Sequence, residues 1–427
     1  MRTGRVVVIG SGIGGLVAAV RLASSGFSVL VCERAETTGG KLREVEVAGC
    51  RIDSGPTVLT MRDVFDEIFA DAGACFADEV RLEPLDILAR HVWTGGVKLD
   101  LFSDPARSAD AIGALAGPDE ARGYVAFCER ARSIFRTLDE PFIRSSRPSL
   151  PELLYRVGPR RLVALAGISP FTTLARALEE HFADPRLRQL FGRYATYCGS
   201  SPYLAPATLM LVAHVEREGV WTVPGGLYRI VEALVRLAES KGVVVRTGAE
   251  VATILTDRHR GATGVTLADG ETIAADAVIS NGDVAAFEAG LFGPGVAQAS
   301  PPMPERERSL SALTWSLVAE ASGTSLSHHT VFFSDDYRAE FDAIREGRPP
   351  DDPTVYVCAP DRDSGRPPCP ERLFCIVNAP ANGDRVPLTA TEIASCETRT
   401  FQRLERCGLS VRRRPESSVV TTPSDFA

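Results

Sequence analysis

The start of the chain alternates short apolar runs with a segment of helical periodicity. Residues 5–10 (RVVVIG) and 28–33 (SVLVCE) are rich in β-branched residues, which is typical of strands buried on both faces. Between them, residues 13–25 (IGGLVAAVRLASS) place small and apolar residues on one side of a helix. Together these segments predict a βαβ unit and a parallel sheet.

The pattern changes twice along the rest of the chain. Residues 61–205 lose the strand pattern, and apolar residues recur there at intervals of three and four, which predicts helices. From residue 219 a helix is followed by strands, with a hairpin predicted at Asp269-Gly270 and a buried strand ending at Ser280-Asn281. Residues 286–420 mix strands with one long helix.

A glycine cluster joins the first predicted strand to the first helix. Gly10, Gly12 and Gly15 follow the spacing G-x-G-x-x-G, which allows a tight turn and brings a pyrophosphate close to the N-terminus of the helix. Glu33 closes the second strand, where a carboxylate accepts hydrogen bonds from ribose hydroxyls and disfavours a 2′-phosphate. This context predicts a dinucleotide site for FAD or NAD rather than NADP.

The next residues favour FAD. Gly39 and Gly40 are followed by Lys41 and Arg43, and this run resembles the extended motif of the amine oxidase and phytoene desaturase flavoproteins. The segment IDSGPT, residues 52–57, also resembles that superfamily, in which the chain passes under the flavin. The predicted FAD-binding residues are Gly10, Ser11, Gly12, Ile13, Gly14, Gly15, Glu33, Arg34, Gly39, Gly40, Lys41, Arg43, Gly55, Pro56, Thr57 and Val251.

We therefore predict an α/β fold. A Rossmann-like FAD-binding domain of the two-dinucleotide-binding, amine oxidase-like kind would hold an inserted mixed α+β substrate domain. The FAD-binding domain is predicted to be discontinuous, formed by residues 1–60 and 206–285. Residues 61–205 would form a helical, membrane-facing substrate region, and residues 286–427 a mixed-sheet substrate domain.

Composition excludes several classes of partner. The net charge of −8 and a pI near 5.5 argue against nucleic acid, which requires a basic surface. The ten cysteines include no C-x-x-C pair and the six histidines show no ligand spacing, so we predict no metal and reduced cytoplasmic thiols.

One segment suggests contact with a membrane surface. Residues 158–178 (GPRRLVALAGISPFTTLARAL) join paired arginines to an apolar face, as in helices that lie on a bilayer. A pair of helices facing the protein core fits the same pattern. We predict a cytoplasmic protein that associates peripherally with the inner or intracytoplasmic membrane.

Several longer runs resemble the carotenoid desaturase branch of the phytoene desaturase-like flavoproteins. These runs include GGKLREVEVAGCRIDSGPTVL, RLRQLFGRYATYCGSSPYLAPATLM and ERSLSALTWSLVAE. Within that branch, LDILARHVW and PTVYVCAPDRD are similar to desaturases of hydroxyneurosporene and methoxyneurosporene.

This resemblance implies a reaction. It implies that FAD accepts a hydride from an allylic carbon as a C3–C4 double bond forms in a 1-hydroxy or 1-methoxy carotenoid. The substrate would come from the membrane into an apolar tunnel, and oxygen or a quinone would be the electron acceptor. The alternatives are a phytoene desaturase, another amine oxidase-like flavoenzyme, or an inactive truncated fragment.

Candidate catalytic and substrate residues follow from the same resemblance. Arg308 and His91 are the predicted catalytic residues, with the pair His328-His329 as a further candidate. The alternatives are a surface ion pair for Arg308, a packed core position for His91 and a strand edge for the histidine pair. The predicted substrate residues, which would meet the C1 oxygen, are Tyr194, Thr196 and Tyr197.

The end of the sequence differs from the family pattern. Members of the family continue into a glycine-rich segment, G-x-x-x-H-P-G-x-G, whereas this sequence ends at RPESSVVTTPSDFA. From the sequence alone we therefore expect weak FAD binding and low activity.

Overall fold

The computed structural model of the protein describes residues 4–145, 172–257, 259, 261–300, 303–304, 307–362 and 367–426. The strands among these residues are β1 (Arg5–Ile9), β2 (Ser28–Cys32), β3 (Glu44–Val47), β4 (Cys50–Asp53), β5 (Glu83–Pro84), β6 (Ile87–Val92), β7 (Lys98–Phe102), β8 (Trp221–Thr222), β9 (Val244–Arg246), β10 (Val251–Asp257), β11 (Gly261–Leu267), β12 (Thr272–Ala274), β13 (Ala277–Ser280), β14 (Ser311–Gly323), β15 (His329–Phe332), β16 (Val355–Cys358), β17 (Glu371–Ala379), β18 (Leu409–Arg412) and β19 (Ser418–Thr421).

Helices connect these strands. The α-helices among the described residues are α1 (Ile13–Ser24), α2 (Arg62–Asp71), α3 (Phe76–Glu79), α4 (Pro105–Ala116), α5 (Pro118–Leu138), α6 (Leu174–Leu178), α7 (Pro185–Gly192), α8 (Leu211–Glu218), α9 (Tyr228–Ser240), α10 (Ala285–Glu288), α11 (Tyr337–Arg345) and α12 (Ala390–Arg406). A 3₁₀ segment, Arg193–Cys198, follows α7 directly.

The chain divides into two compact units, and each is built from two stretches of sequence. The first unit comprises Met1–Glu83 and Trp221–Glu307, and the second comprises Pro84–Val220 and Arg308–Ala427. These borders differ from those predicted at residues 60, 205 and 285. Helix α2 belongs to the first unit because it buries Ile68 and Phe69 in that unit's core.

The first unit is organised around a parallel sheet with the strand order β13-β1-β2-β9. Strands β1 and β2 pair in parallel from Arg5 opposite Ser28 to Ile9 opposite Cys32. Helix α1 buries Leu16 and Val20 in the core that includes the sheet. The predicted βαβ unit is therefore confirmed. An antiparallel sheet, β10-β11-β12, contains the predicted hairpin with its turn at residues 269–270.

The second unit contains a sheet in which β14 pairs with three other strands. The order is β18-β14-β17-β16-β15-β6-β7, and β19 also pairs with β14. One face of this sheet buries Trp315 and Leu317 in a core with Phe401 and Leu404 of α12. The opposite face buries Val331 in a second core that includes residues of α5, α7 and α8. Helices therefore cover both faces.

The prediction that residues 61–205 are helical is wrong for one segment. Strands β6 and β7 form an antiparallel hairpin there, with His91 opposite Leu99. Strand β6 lies between β15 and β7, and most of its side chains are buried. Burial on both faces removes the polar alternation that identifies a strand in sequence.

No described helix is both long enough and apolar enough to cross a membrane. Of the segment 158–178, for which a membrane face and a core face were both considered, residues 158–171 lie outside the described residues. The described end of the segment begins α6, where Leu174 and Leu178 are fully buried in the core. This end faces the protein interior.

Candidate functional sites

The turn between β1 and α1 requires glycine for steric reasons. A Cβ atom on Gly15 would lie 2.0 Å from the carbonyl oxygen of Gly10, and Gly10 itself has a φ of +91°. Helix α1 starts without a side-chain cap and has no acidic residue in its first turn. The N-terminus of the helix therefore presents backbone N–H groups and a positive dipole end, which suit a phosphate.

Glu33 anchors the second part of this site. Its Oε2 accepts hydrogen bonds from the backbone N–H and the hydroxyl of Ser11, both at 2.8 Å, and its Oε1 accepts from Ala35 N–H at 2.9 Å. The residue is 7% exposed. The N–H of Ala249 donates to the Glu33 carbonyl at 2.7 Å, so the chain runs beside Glu33 shortly before it reaches Val251. The Val251 side chain is buried in the adjacent core.

The second glycine pair lies against the first glycine cluster. The N–H of Gly39 donates to Ser11 O at 3.0 Å, and a Cβ on Gly40 would lie 3.1 Å from the Cα of Gly12. A Cβ on Gly55 would lie 1.9 Å from Lys41 O. The structure thus brings together the three segments that the sequence indicated for FAD.

The remaining predicted FAD residues surround these segments. Arg34, Lys41 and Pro56 are exposed, while Arg43 and Thr57 are partly buried. Ile13 is the first residue of α1. Their contacts with the cofactor stay predictions.

Two further residues belong to this region, and the sequence motifs did not indicate their roles. The Asn281 side chain lies against the glycine loop, since a Cβ on Gly14 would be 2.6 Å from its Oδ1. Asp53 accepts hydrogen bonds from the N–H groups of Leu227 and Tyr228 at 2.6 and 3.3 Å. Asn281 follows β13, which pairs with β1. Parallel strands end at the same edge of a sheet, so the predicted end of β13 at Asn281 could have indicated that this residue lies beside the glycine turn after β1.

These residues fit FAD. An uncapped helix start beside a glycine turn matches a pyrophosphate, and the buried carboxylate of Glu33 matches a ribose. Glycines that leave no room for a Cβ keep the backbone segments in close contact.

In the second unit, His91 is completely buried. Its Nδ1 lies 3.3 Å from Leu99 O, and its Nε2 is buried without a hydrogen-bond partner among the described residues. Burial first, and then the charge of Arg193, lower the pKa of His91 well below its usual value. The ring is therefore neutral near pH 7. Its predicted catalytic role stays a prediction.

Arg308 is held by a carboxylate. Its Nη1 donates to the two carboxylate oxygens of Asp384 at 2.8 and 2.9 Å and to Ala381 O at 3.3 Å. The hydrogen bond and the charge of Arg308 keep the pKa of Asp384 below its usual value against the effect of desolvation. The predicted catalytic role of Arg308 also stays a prediction.

The histidine pair precedes and begins β15. His329 Nδ1 lies 2.6 Å from the Tyr356 hydroxyl, and His328 Nε2 lies 3.5 Å from Cys358 Sγ. His328, His329 and Cys358 each offer a metal-ligand atom within 4.8 Å of the others. This group could not be recognised in the sequence because Cys358 lies on a different strand, β16.

The predicted substrate tyrosines belong to a buried polar cluster. Tyr194 donates to Glu216 Oε2 at 2.7 Å, and Tyr197 donates to Oε1 of the same carboxylate. Arg193 Nη1 donates to the Tyr197 hydroxyl at 3.2 Å. Thr196 donates to the Arg193 carbonyl at 2.8 Å. Arg193, which the sequence did not single out, is the centre of this cluster.

Burial and charge shift the titration of these groups. Burial raises the pKa of Tyr194 well above its usual value, and the Glu216 charge adds to this effect. Burial also raises the pKa of Tyr197, although Arg193 opposes it. For Arg193, interactions with Tyr197 and Glu216 outweigh desolvation and raise the pKa. Arg193 is therefore a permanent buried cation.

Comparison with known proteins identifies the family. The model of the flavin containing amine oxidoreductases matches residues 13–319, and the chain belongs to this family. The family match gives FAD as the cofactor of this chain and confirms the cofactor prediction. It also confirms the predicted fold class, an amine oxidase-like flavoprotein.

Particular relatives extend over the whole chain. The hydroxyneurosporene desaturase of Rubrivivax gelatinosus is 50% identical over 430 residues, covering 100% of this chain and 82% of that protein. The protein of the same name from Cereibacter sphaeroides is 44% identical, with coverages of 99% and 85%. The 4,4'-diapolycopene oxygenase of a Methylomonas species is 33% identical, with coverages of 99% and 85%.

Solved structures share the fold. An oxidoreductase from Methanosarcina mazei has a TM-score of 0.60 at 16% identity, covering 97% of this chain and 87% of that one. A putrescine oxidase bound to putrescine has a TM-score of 0.53 at 14% identity, with coverages of 98% and 85%.

Proposed function

We propose that this protein is an FAD-dependent carotenoid desaturase that forms a C3–C4 double bond in 1-hydroxy or 1-methoxy carotenoids. The observation that carries the proposal is 50% identity to a hydroxyneurosporene desaturase along the whole chain. The FAD-binding features of the first unit support it, because desaturation without a redox cofactor has no electron acceptor.

The residues of the first unit hold the cofactor in this proposal. The start of α1 would bind the pyrophosphate, Glu33 would accept the ribose hydroxyls, and the segments at Gly39 and Gly55 would keep the backbone close to the cofactor. When bound, the flavin supplies the hydride acceptor. The protein's own contribution is to bind and orient the polyene and to exclude water from it.

The substrate, its delivery and the final electron acceptor are parts of the same proposal. The carotenoid would enter from a membrane with which the protein associates peripherally, and oxygen or a quinone would reoxidise the flavin. Arg308 and His91 are the proposed residues nearest the reaction, and Tyr194, Thr196 and Tyr197 those nearest the C1 oxygen.

The proposal is tested by expressing the chain in cells that accumulate 1-hydroxyneurosporene. We expect a red-shifted pigment with one more conjugated double bond, seen in the absorption spectrum and by mass. A Glu33→Gln variant should form less of the product, and Glu36→Gln, a change at an exposed residue three positions on, should not. Unchanged pigment from a folded, flavin-containing protein would refute the proposed activity.

A further inference from the structure

Three side chains of the second unit bury nitrogen atoms that have no hydrogen-bond partner among the described residues. The atoms are His91 Nε2, His329 Nε2 and the Nε and Nη2 of Arg193. The three residues are 0%, 2% and 9% exposed. A buried polar group left unpaired costs about 1–3 kcal/mol, so such groups usually have a partner. Several unpaired atoms in one region indicate a ligand that supplies the missing partners.

The three side chains lie near one another. Strands β6 and β15 pair in parallel, with Val331 opposite His91. Because side chains alternate along a strand, His329 points to the same face as Val331 and His91. Trp93, two residues after His91, donates from its Nε1 to Gln189 Oε1 at 2.9 Å. Gln189 lies on α7, one helical turn before Arg193, so Arg193 follows directly on the segment that packs against the end of β6.

The hydrogen-bonding character of His91 follows from its neighbour. Leu99 O, 3.3 Å from Nδ1, can only accept a hydrogen bond, so Nδ1 carries the hydrogen. In the neutral ring Nε2 then has a free lone pair and acts as an acceptor. His91 thus offers an acceptor to a ligand.

Arg193 offers donors. Its Nη1 is used by Tyr197, while Nη2 is 3.7 Å from Glu216 Oε1, beyond a hydrogen bond. The Nε–H and Nη2–H groups are therefore left for a ligand. The hydroxyl hydrogens of Tyr194 and Tyr197 are donated to Glu216, so these tyrosines hold Arg193 in place rather than donate to substrate.

We propose that Arg193 and His91 bind the hydroxyl group at C1 of the carotenoid, so that His91 binds substrate rather than acting as a catalytic residue, and Tyr194 and Tyr197 support Arg193 instead of contacting the C1 oxygen. The hydroxyl oxygen accepts from Arg193, and the hydroxyl hydrogen is donated to His91 Nε2. A methoxy oxygen satisfies only Arg193, and a hydrocarbon end satisfies neither residue. The site therefore selects a hydroxylated end over a methoxylated one, and both over an unsubstituted one. This assignment rests on the proposed function and specifies which carotenoid end group the protein prefers.

The test is a binding series on the full chain with FAD. Dissociation constants for 1-hydroxyneurosporene, 1-methoxyneurosporene and neurosporene in detergent micelles are measured by quenching of tryptophan fluorescence. We expect about tenfold tighter binding of the hydroxylated compound than of neurosporene, with the methoxy compound between them. Equal binding of all three would overturn the proposal without any variant.

Variants test which residues produce the preference for the hydroxylated compound. Arg193→Met and His91→Leu should each reduce the preference to less than about threefold and leave neurosporene binding unchanged. The control is His214→Leu, because His214 is a buried histidine of the same unit with an unpaired ring nitrogen and lies on α8. Arg193→Lys retains the charge beside Glu216 if the Met variant does not fold, and should keep part of the preference.

The outcomes separate this inference from the proposed function. Selective binding of the hydroxylated compound with no desaturation would refute the proposed activity and retain the site. Desaturation of all three compounds at equal rates, with equal binding, would retain the activity and refute the site. Variants that weaken all three ligands equally would show a structural role only.

Discussion

At the scale of single residues, a side chain at Gly15 would collide with the backbone of the preceding turn. The Cβ of Gly15→Ala would meet Gly10 O at 2.0 Å, and an overpacked site costs about 1–3 kcal/mol. We expect this variant to lose both thermal stability and FAD, measured by Tm and by flavin absorbance.

Gly4→Ala is the matched control, since its Cβ would have only ordinary contacts at 3.5 Å or more just before the same strand. It should leave Tm and flavin content unchanged. A Gly15→Ala protein with full flavin content would contradict the steric argument.

The sequence was most informative where one residue type is required by geometry. Gly10, Gly12, Gly15 and Glu33 were recognised because turn, helix start and strand end follow one another within a short segment. Arg193 could not be recognised in this way. Its importance depends on Glu216 and on the neighbouring sheet, and no local spacing reports contacts between residues distant in sequence.

At the scale of elements, a buried arginine connects α12 to three loops of the second unit. The Arg403 side chain is fully buried, and its guanidinium donates to Thr94 at 2.7 Å, to Asp335 at 3.0 Å and to Asp352 at 2.9 Å. Its hydrogen bond, with further contributions from Thr94 and Arg406, lowers the pKa of Asp335 to about 2. Arg403→Met should destabilise the unit by about 1.5–3 kcal/mol, because a fully buried side chain loses its hydrogen bonds to charged partners.

The control for this prediction lies one turn along the same helix. Arg406 also bonds to Asp352, at 2.7 Å, but its side chain is 47% exposed. Arg406→Met should cost less than about 1 kcal/mol. Urea unfolding of both variants measures the difference, and equal losses would show that burial is not what makes the Arg403 contacts strong.

Secondary structure was predictable to different degrees in the two units. The βαβ segment and α12 matched their patterns because each has one clear periodicity. Strands β6 and β7 were missed because β6 pairs with β15, more than 200 residues later in sequence. Pairing with such a distant strand buries β6 and hides its pattern.

At the scale of the whole molecule, a buried acid makes stability depend on pH. Glu340 is 2% exposed, and burial raises its pKa from 4.5 to about 7, although hydrogen bonds from Thr354 and Ser334 oppose the shift. A raised acid pKa means that the folded protein binds the proton more tightly than the unfolded chain. The contribution of Glu340 to the free energy of unfolding is therefore complete below pH 4.5 and is lost as pH rises through 7.

We expect the free energy of unfolding to fall by about 3 kcal/mol over this range because of Glu340 alone. Glu340→Gln should remove this fall, and Glu346→Gln, at an exposed position just after the same helix, should retain it. Denaturant unfolding from pH 5 to 8 measures both. An identical pH profile for Glu340→Gln and the parent protein would contradict the assignment.

The discontinuous architecture could be predicted in outline and not in its borders. The return of a helix-and-strand pattern after residue 219 indicated that the first unit resumes there. The borders depend on where α2 and α8 bury their apolar side chains, and a helical pattern does not say which core it faces.

The contact between His91 and the carbonyl of Leu99 limits which substitutions can alter the end-group preference of this protein. A main-chain atom, which no substitution at position 99 removes, decides which nitrogen of His91 bears the hydrogen. Any residue that preserves the β6–β7 pairing therefore leaves the acceptor in place. Preference for an oxygenated end group can thus be lost or altered at positions 91 and 193, while the strand pairing that orients His91 is inherited unchanged.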